Sequence, residues 1–255
     1  MKNASANPTL QADLPCTRHR VHAFDALRGY TVLSMIGFHT AYDLAYLYQI
    51  DMAWFTTGPF QELWRISISW VFLALAGWMT IHSRSNMRRG GQYACVAFLV
   101  WVVTAIADVD TPISFGIIYC MATCTLGYAV LERTALIRSS GPRACTAASA
   151  MCVALFLISY RVPHVRYEVQ GLAWLGFPHE SFASGDYYPL IPFGFLYLAS
   201  ALAARAWRQS SKGAYPTWLQ RIHCAPLESI GRHALLLYVV HQPLVLALLR
   251  FAFRA

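Results

Sequence analysis

Two histidines interrupt long apolar stretches of the chain: His39 in FDALRGYTVLSMIGFHTAYDL and His241 in IGRHALLLYVVHQPLVLALL. Imidazole titrates near neutral pH, so it can take up a proton, carry an acyl group or ligate a metal. An ionisable residue inside an apolar helix is costly and marks a functional position. Arg28 lies eleven residues before His39, and Arg232 lies nine before His241. At ~1.5 Å of rise per residue, the two rings stand roughly 14–17 Å beyond their arginines, at matching depth. The pattern points to a reactive centre or ligand site inside a bilayer. The plainer alternative is two unrelated histidines, each hydrogen-bonded to a backbone carbonyl.

Carboxylates and arginines surround this pair in the sequence. Asp43 follows His39 by four residues and shares its helix face. It can orient the imidazole and raise its basicity, or pair with Arg65 at the start of the next apolar segment, and the two uses are compatible. Asp25 and Arg28 are spaced to pair with each other. Arg28 and Arg232 can grip an anionic ligand, since guanidinium suits phosphate, or act as snorkelling anchors. Asp186, in SGDYYPL, stands at the mouth of a later segment, where it can bind sugar hydroxyls or an amine. Asp108 and Asp110 read as solvated loop residues. There is no Walker loop, GxGxxG, HExxH or GxSxG. The seven cysteines include no CxxC pair. Cys120 and Cys124 share a helix face, but two thiols do not make a zinc site, and no metal is expected.

The elements that must position these residues are membrane helices. The chain has 255 residues, 57% of them hydrophobic, and a mean hydropathy of +0.41. Only 13% is charged, against roughly 25% in soluble domains. The composition predicts an all-α polytopic integral membrane helix bundle of about seven spans: 26–47, 64–82, 91–107, 113–131, 144–160, 187–206 and 230–251. Each is close to the ~20 residues that a bilayer requires. Gly58-Pro59, Gly90-Gly91, Thr111-Pro112, Gly141-Pro142, Pro178 and Pro216 separate them. The net charge of +8 is carried between apolar runs. Topology explains it better than nucleic-acid binding does. Arg18, Arg20, Arg84, Arg88, Arg89, Arg133, Arg138, Arg143, Arg205, Arg208, Lys212 and Arg221 fall in alternate loops, which predicts a cytoplasmic N-terminus. The polar residues 1–22 read as a cytoplasmic tail, and 23–255 as a single transmembrane domain.

FDALRG with FHTAYDL, the R-x-x-x-S-W-V-F-L-A-L-A-G stretch, ISFGIIYC, SGDYYPLIPF and IGRHALLLYVVHQPL occur in this order over about residues 20–250. Together they resemble the bacterial branch of the heparan-alpha-glucosaminide N-acetyltransferase catalytic-domain family, in the broader transmembrane acyltransferase group. The resemblance implies acetyl-CoA as co-substrate from the cytoplasmic side, and an amino sugar or envelope glycan as acceptor on the outer side of the bacterial inner membrane. It also admits a homodimer. Carried over by motif position, Asp25, Arg28, His39, Asp43, Asp186, Arg232 and His241 are the family-type residues. Two departures stand out. Tyr119 occupies a position where bacterial relatives often carry histidine. The loop YLYQIDMAW also lacks the histidine that is catalytic in the animal enzyme.

The expectation is therefore an acetyltransferase with His39, His241 and Asp43 at the reaction centre and His39 favoured as general base. Arg28, Arg232, Asp25 and Tyr119 are expected toward the donor, and Asp186 and Arg65 toward the acceptor. Two other readings stay open: a non-catalytic membrane subunit or scaffold, and a haem protein with His39 and His241 as axial ligands.

Overall fold

The computed structural model describes residues 21–107, 111–211 and 214–253. The tail through Arg20, Asp108, Asp110, Lys212 and Arg254 lie outside them. The described residues fold into eight principal helices: α1 (His22–Tyr42), α2 (Phe60–Trp78), α3 (Asn86–Ala107), α4 (Ile117–Leu131), α5 (Pro142–Ser159), α6 (Leu190–Ser210), α7 (Ala225–Arg232) and α8 (Ala234–Ala252). Among the described residues there is no strand, only an isolated bridge between Tyr167 and His179. Five helices among the described residues are long and apolar enough to cross a membrane: α2, α3, α5, α6 and α8. The other two expected spans fall short of that mark. The α4 helix has only 15 residues, and α1 mixes Asp25, Arg28 and His39 into its apolar run. The protein is an all-α, multi-pass membrane bundle.

Burial separates an inner set of helices from an outer one. Half of the most apolar window is buried in α2 and in α6, against 6–11% in α3, α5 and α8. The outer helices present Phe98, Ile106, Leu157, Ile158, Leu244 and Leu248 outward. In a bilayer such a face needs no polar cover, because lipid tails are its solvent. The core where α2, α4 and α6 meet is built on Leu73, Met121, Phe193, Tyr197 and Ala201. Tyr197 is fully buried, and its hydroxyl meets Thr125 Oγ1 at 2.8 Å and Arg89 Nη2 at 3.2 Å.

Helix boundaries differ from expectation for local reasons. Gly90-Gly91, read as a breaker, lies inside α3, because Gly90 lets the helix close onto Leu126 of α4. The α4 helix starts at Ile117, after Phe115 at φ +60° and an extended Gly116. The α6 helix starts after an extended Pro189. The expected 230–251 span breaks at His233, which separates α7 from α8.

The arginine-rich loops gather at one end of the bundle. Arg205 Nη2 donates to the Ile137 carbonyl at 2.7 Å, Arg208 Nη1 to Ile81 at 3.2 Å and Arg89 Nη2 to Ala76 at 2.6 Å. At the opposite end, residues 160–189 form a cap of loops with a single 3-10 turn over Val162–His164. It is tied down by Tyr167 N–H to Pro178 O (2.9 Å), Tyr188 N–H to Phe115 O (2.9 Å) and Tyr187 Oη to Ala173 O (2.7 Å).

The tightest contact in the basic end is a crossing of α1 and α7. A Cβ on Gly29 would lie 1.9 Å from Leu227 O, and one on Gly231 would lie 1.9 Å from Asp25 O. Only glycine permits backbones this close. Gly231→Ala is therefore expected to cost about 1–3 kcal/mol or to prevent folding. Gly127→Ala, where nothing lies within 4 Å of the added methyl, should be neutral or slightly stabilising. Thermal unfolding in detergent compares the two variants, and equal melting temperatures would refute the role of the crossing.

Candidate active site

The crossing sets the register of the two histidine-bearing helices. His39 lies ten residues beyond Gly29, and His241 ten beyond Gly231. At ~1.5 Å per residue both reach roughly the same depth, up to about 15 Å from the crossing. There the rings are in direct contact, with centroids 5.0 Å apart and planes tilted by 54°. This contact favours a functional pair over two unrelated side chains. It also leaves no gap for a porphyrin plane between the rings, so the bis-histidine haem reading does not fit.

His241 is buried. Its Nδ1 lies 2.7 Å from the Tyr238 carbonyl. A carbonyl only accepts, so Nδ1 carries the proton and the neutral ring keeps its lone pair on Nε2. That Nε2 is buried and has no hydrogen-bond partner among the described residues. A basic nitrogen held in one tautomer and left open is what a general base requires.

Asp43 is also buried, at the point where α1 widens into a π turn over Asp43–Leu47. Such turns are frequent at functional sites. Gln242 Nε2 donates to both carboxylate oxygens of Asp43, at 3.0 and 3.2 Å, while Gln242 Oε1 is buried without a partner. Gln242 thus belongs to the site, although it was not singled out from the sequence. The available signal was a second polar residue beside His241 in an apolar helix.

Asp25 and Arg28 pair as expected, Nη1 to Oδ1 at 3.0 Å. Arg28 Nη1 also reaches the Gly231 carbonyl at 3.4 Å. The crossing therefore brings Arg28 beside the segment that carries Arg232, which is exposed. At the far end, Arg65 grips Glu62 through contacts of 2.6–2.9 Å and meets Tyr188 Oη at 3.3 Å. The expected use of Arg65 is thereby modified: its close carboxylate is Glu62, while Asp43 turns to Gln242. Asp186 Oδ2 accepts the Ile117 N–H at 2.9 Å, capping α4. Burial pushes the Asp186 carboxyl above the usual carboxylate range, against the opposing pull of that N–H and of Arg65. Burial, followed by the Asp186 charge, pushes the Tyr188 phenol up to about 12, so it stays a donor.

Tyr119, expected toward the donor, stands on α4 two residues after Ile117, whose N–H Asp186 accepts. It lines a largely apolar cavity of about 500 Å³ between α3, α4 and α8, together with Phe98, Trp101 and Tyr238. Tyr238 also packs on His241, with ring centroids 5.8 Å apart. The residues thus fall into three groups: Asp25, Arg28 and Arg232 at the basic end; His39, His241, Asp43 and Gln242 in the middle; and Arg65, Tyr188 and Asp186 at the far end.

Gln242→Leu is expected to cost about 0.6–1.7 kcal/mol, the range from average to largest for an interhelical hydrogen bond in a membrane protein. Gln242→Glu is expected to cost more, since it sets a second carboxylate against Asp43. Detergent melts of the two variants test the order, and a Glu variant as stable as wild type would contradict the pairing.

Residues 20–243 match the family model described as heparan-alpha-glucosaminide N-acetyltransferase, catalytic. Neither a curated protein nor a solved structure matches the chain.

Proposed function

The chain belongs to the heparan-alpha-glucosaminide N-acetyltransferase catalytic family and is an acetyltransferase-type membrane enzyme; from this we propose that it carries acetyl groups across a bacterial inner membrane. The donor is acetyl-CoA, bound at the basic end from the cytoplasm. The acceptor is an amino sugar or envelope glycan entering from the far end. The observation that carries this reading is the contact between His39 and His241, with His241 Nε2 buried and open.

The phosphates of coenzyme A lie against Arg28 and Arg232, where guanidinium groups suit them. The narrow pantetheine arm runs inward along α1 and α8 and brings the thioester to the histidine pair. The acceptor amine passes Arg65, Asp186 and Tyr188. Its nitrogen attacks the thioester carbonyl carbon and gives its proton to His241 Nε2. The carbon–sulfur bond then breaks, and the thiolate leaves with a proton returned from the imidazolium.

The open lone pair favours His241 over His39 as the base. His39, in ring contact, positions His241 and donates to the developing oxyanion, a bond that counts most in a dry site. Gln242 Oε1 accepts from an amine N–H. Asp43, bonded to Gln242, fixes that amide and adds negative charge near the imidazolium. An acetyl-histidine intermediate on His241 uses the same open nitrogen.

His241→Ala is expected to lower kcat by roughly 10²–10⁴-fold, with insertion and expression unchanged. Radiolabelled acetyl transfer in proteoliposomes measures it, and normal turnover would remove His241 from the reaction. Arg232→Ala is expected to raise KM for acetyl-CoA with kcat little changed. An unchanged KM would detach Arg232 from the donor.

A further inference from the structure

A second cluster of metal-ligating side chains lies at the basic end, apart from the His39–His241 pair. The first residue of α1, the turn before α7 and the first turn of α7 converge on one carboxylate. His22 Nδ1 lies 2.7 Å from Glu228 Oε2, and His223 Nδ1 lies 2.8 Å from Glu228 Oε1. The two imidazoles face each other with centroids 3.9 Å apart. Glu228 is buried, with only 4% of its side chain exposed. The Cys224 N–H holds its Oε1 at 3.1 Å. The histidines are open to solvent, at 35% for His22 and 57% for His223.

We propose that His22, His223 and Glu228 form a divalent metal site suited to zinc, tying the start of α1 to α7. The donor set is two imidazole nitrogens and one carboxylate oxygen, borderline ligands that zinc accepts in three-ligand sites completed by water. The three ligand atoms already lie within 4.8 Å of one another. Bonds of ~2.0–2.1 Å in a tetrahedral arrangement require ligand separations of roughly 3.3 Å. The two histidines contact different oxygens of Glu228, so with Oε2 as the ligand the His22 contact would open by roughly half an ångström while the exposed His223 swings from Oε1 toward the ion. On binding, each Nδ1 exchanges its hydrogen bond for a bond to the ion, and the neutral ring carries its proton on Nε2. The buried carboxylate sets one side of the site, and the exposed edge of the histidine pair leaves the fourth position to water.

The fold makes this position consequential. Glu228 lies on the helix whose Gly231 meets Asp25 of α1, and His22 is three residues before Asp25. An ion here fastens the α1–α7 crossing from its open side. The site does not depend on the acetyltransfer reading, because none of its three ligands takes part in that chemistry.

The test uses full-length protein in detergent, stripped with chelator, dialysed and titrated with Zn²⁺ alone. One equivalent is expected to bind and to raise the melting temperature. Co²⁺ in its place is expected to give the visible bands of a four-coordinate nitrogen–oxygen site. His223→Ala, at an exposed position that should not disturb folding, is expected to weaken zinc binding at least tenfold. His22→Ala/His223→Ala is expected to abolish it, while His241→Ala leaves it intact. No zinc bound by the wild type, or zinc retained by the double variant, would overturn the site and leave a hydrogen-bonded clamp.

Discussion

Backbone contact between α1 and α7 at Gly29 and Gly231 is the constraint on which the rest of the arrangement depends. Helices in a membrane gain little from apolar burial against each other, because lipid is equally apolar. Close packing and polar contacts must hold them instead. Two glycines remove the Cβ atoms that would keep α1 and α7 apart, and the Asp25 and Leu227 carbonyls fill the freed space. Once that contact is made, equal ten-residue runs carry His39 and His241 to one level. The 5.0 Å ring contact is thus a consequence of where the glycines sit. The same contact sets Arg28 against the Gly231 carbonyl, so the basic site and the histidine pair share one reference point.

The middle group is costly to bury, and its pattern of satisfied and unsatisfied atoms is uneven. Asp43 accepts twice from Gln242, and His241 Nδ1 donates to a carbonyl. Two of the group's atoms, His241 Nε2 and Gln242 Oε1, are buried without partners among the described residues, and both are acceptors. An unmatched buried polar atom costs about 1–3 kcal/mol; such atoms also occur on Trp70, Asn86, Arg89, Arg205 and Trp207, so what sets this group apart is that its two acceptors are adjacent. Two adjacent residues offering unmatched acceptors suit a ligand that brings N–H donors, as an amine does.

Much of this was legible in the sequence, because the signals were spacings along single helices. Similar distances from arginine to histidine, eleven and nine residues, predicted matching depth, and Asp25–Arg28 pairs as its spacing required. What was hidden depends on contacts between segments far apart in the chain. Gly90 reads as punctuation until Leu126 is seen against it. Asp43 has a candidate partner in Arg65, and only the packing of α1 against α8 reveals Gln242. Neither His22 nor His223 belongs to a spacing motif, since their common partner Glu228 is assembled by the α1–α7 crossing. The sequence favours His39 as base; His241 is proposed in its place on the strength of the Tyr238 carbonyl, which fixes the tautomer of His241, and sequence does not show where a carbonyl points.

Charge at the two ends completes the physical picture. Arginine-rich loops are stitched together at one end by bonds to helix-terminal carbonyls, which matches the preference of cations for helix C-termini. The opposite end holds Arg65 within a frame of Glu62, Tyr188 and Asp186, under a cap that fixes Asp186 at the start of α4. A bundle with phosphate-suited guanidiniums at one end, hydroxyl- and amine-suited groups at the other and an open base between them is polarised along its axis. The arginine asymmetry by itself is what topology gives any multi-pass protein; what distinguishes this bundle is that the buried histidine pair lies between its two polar ends.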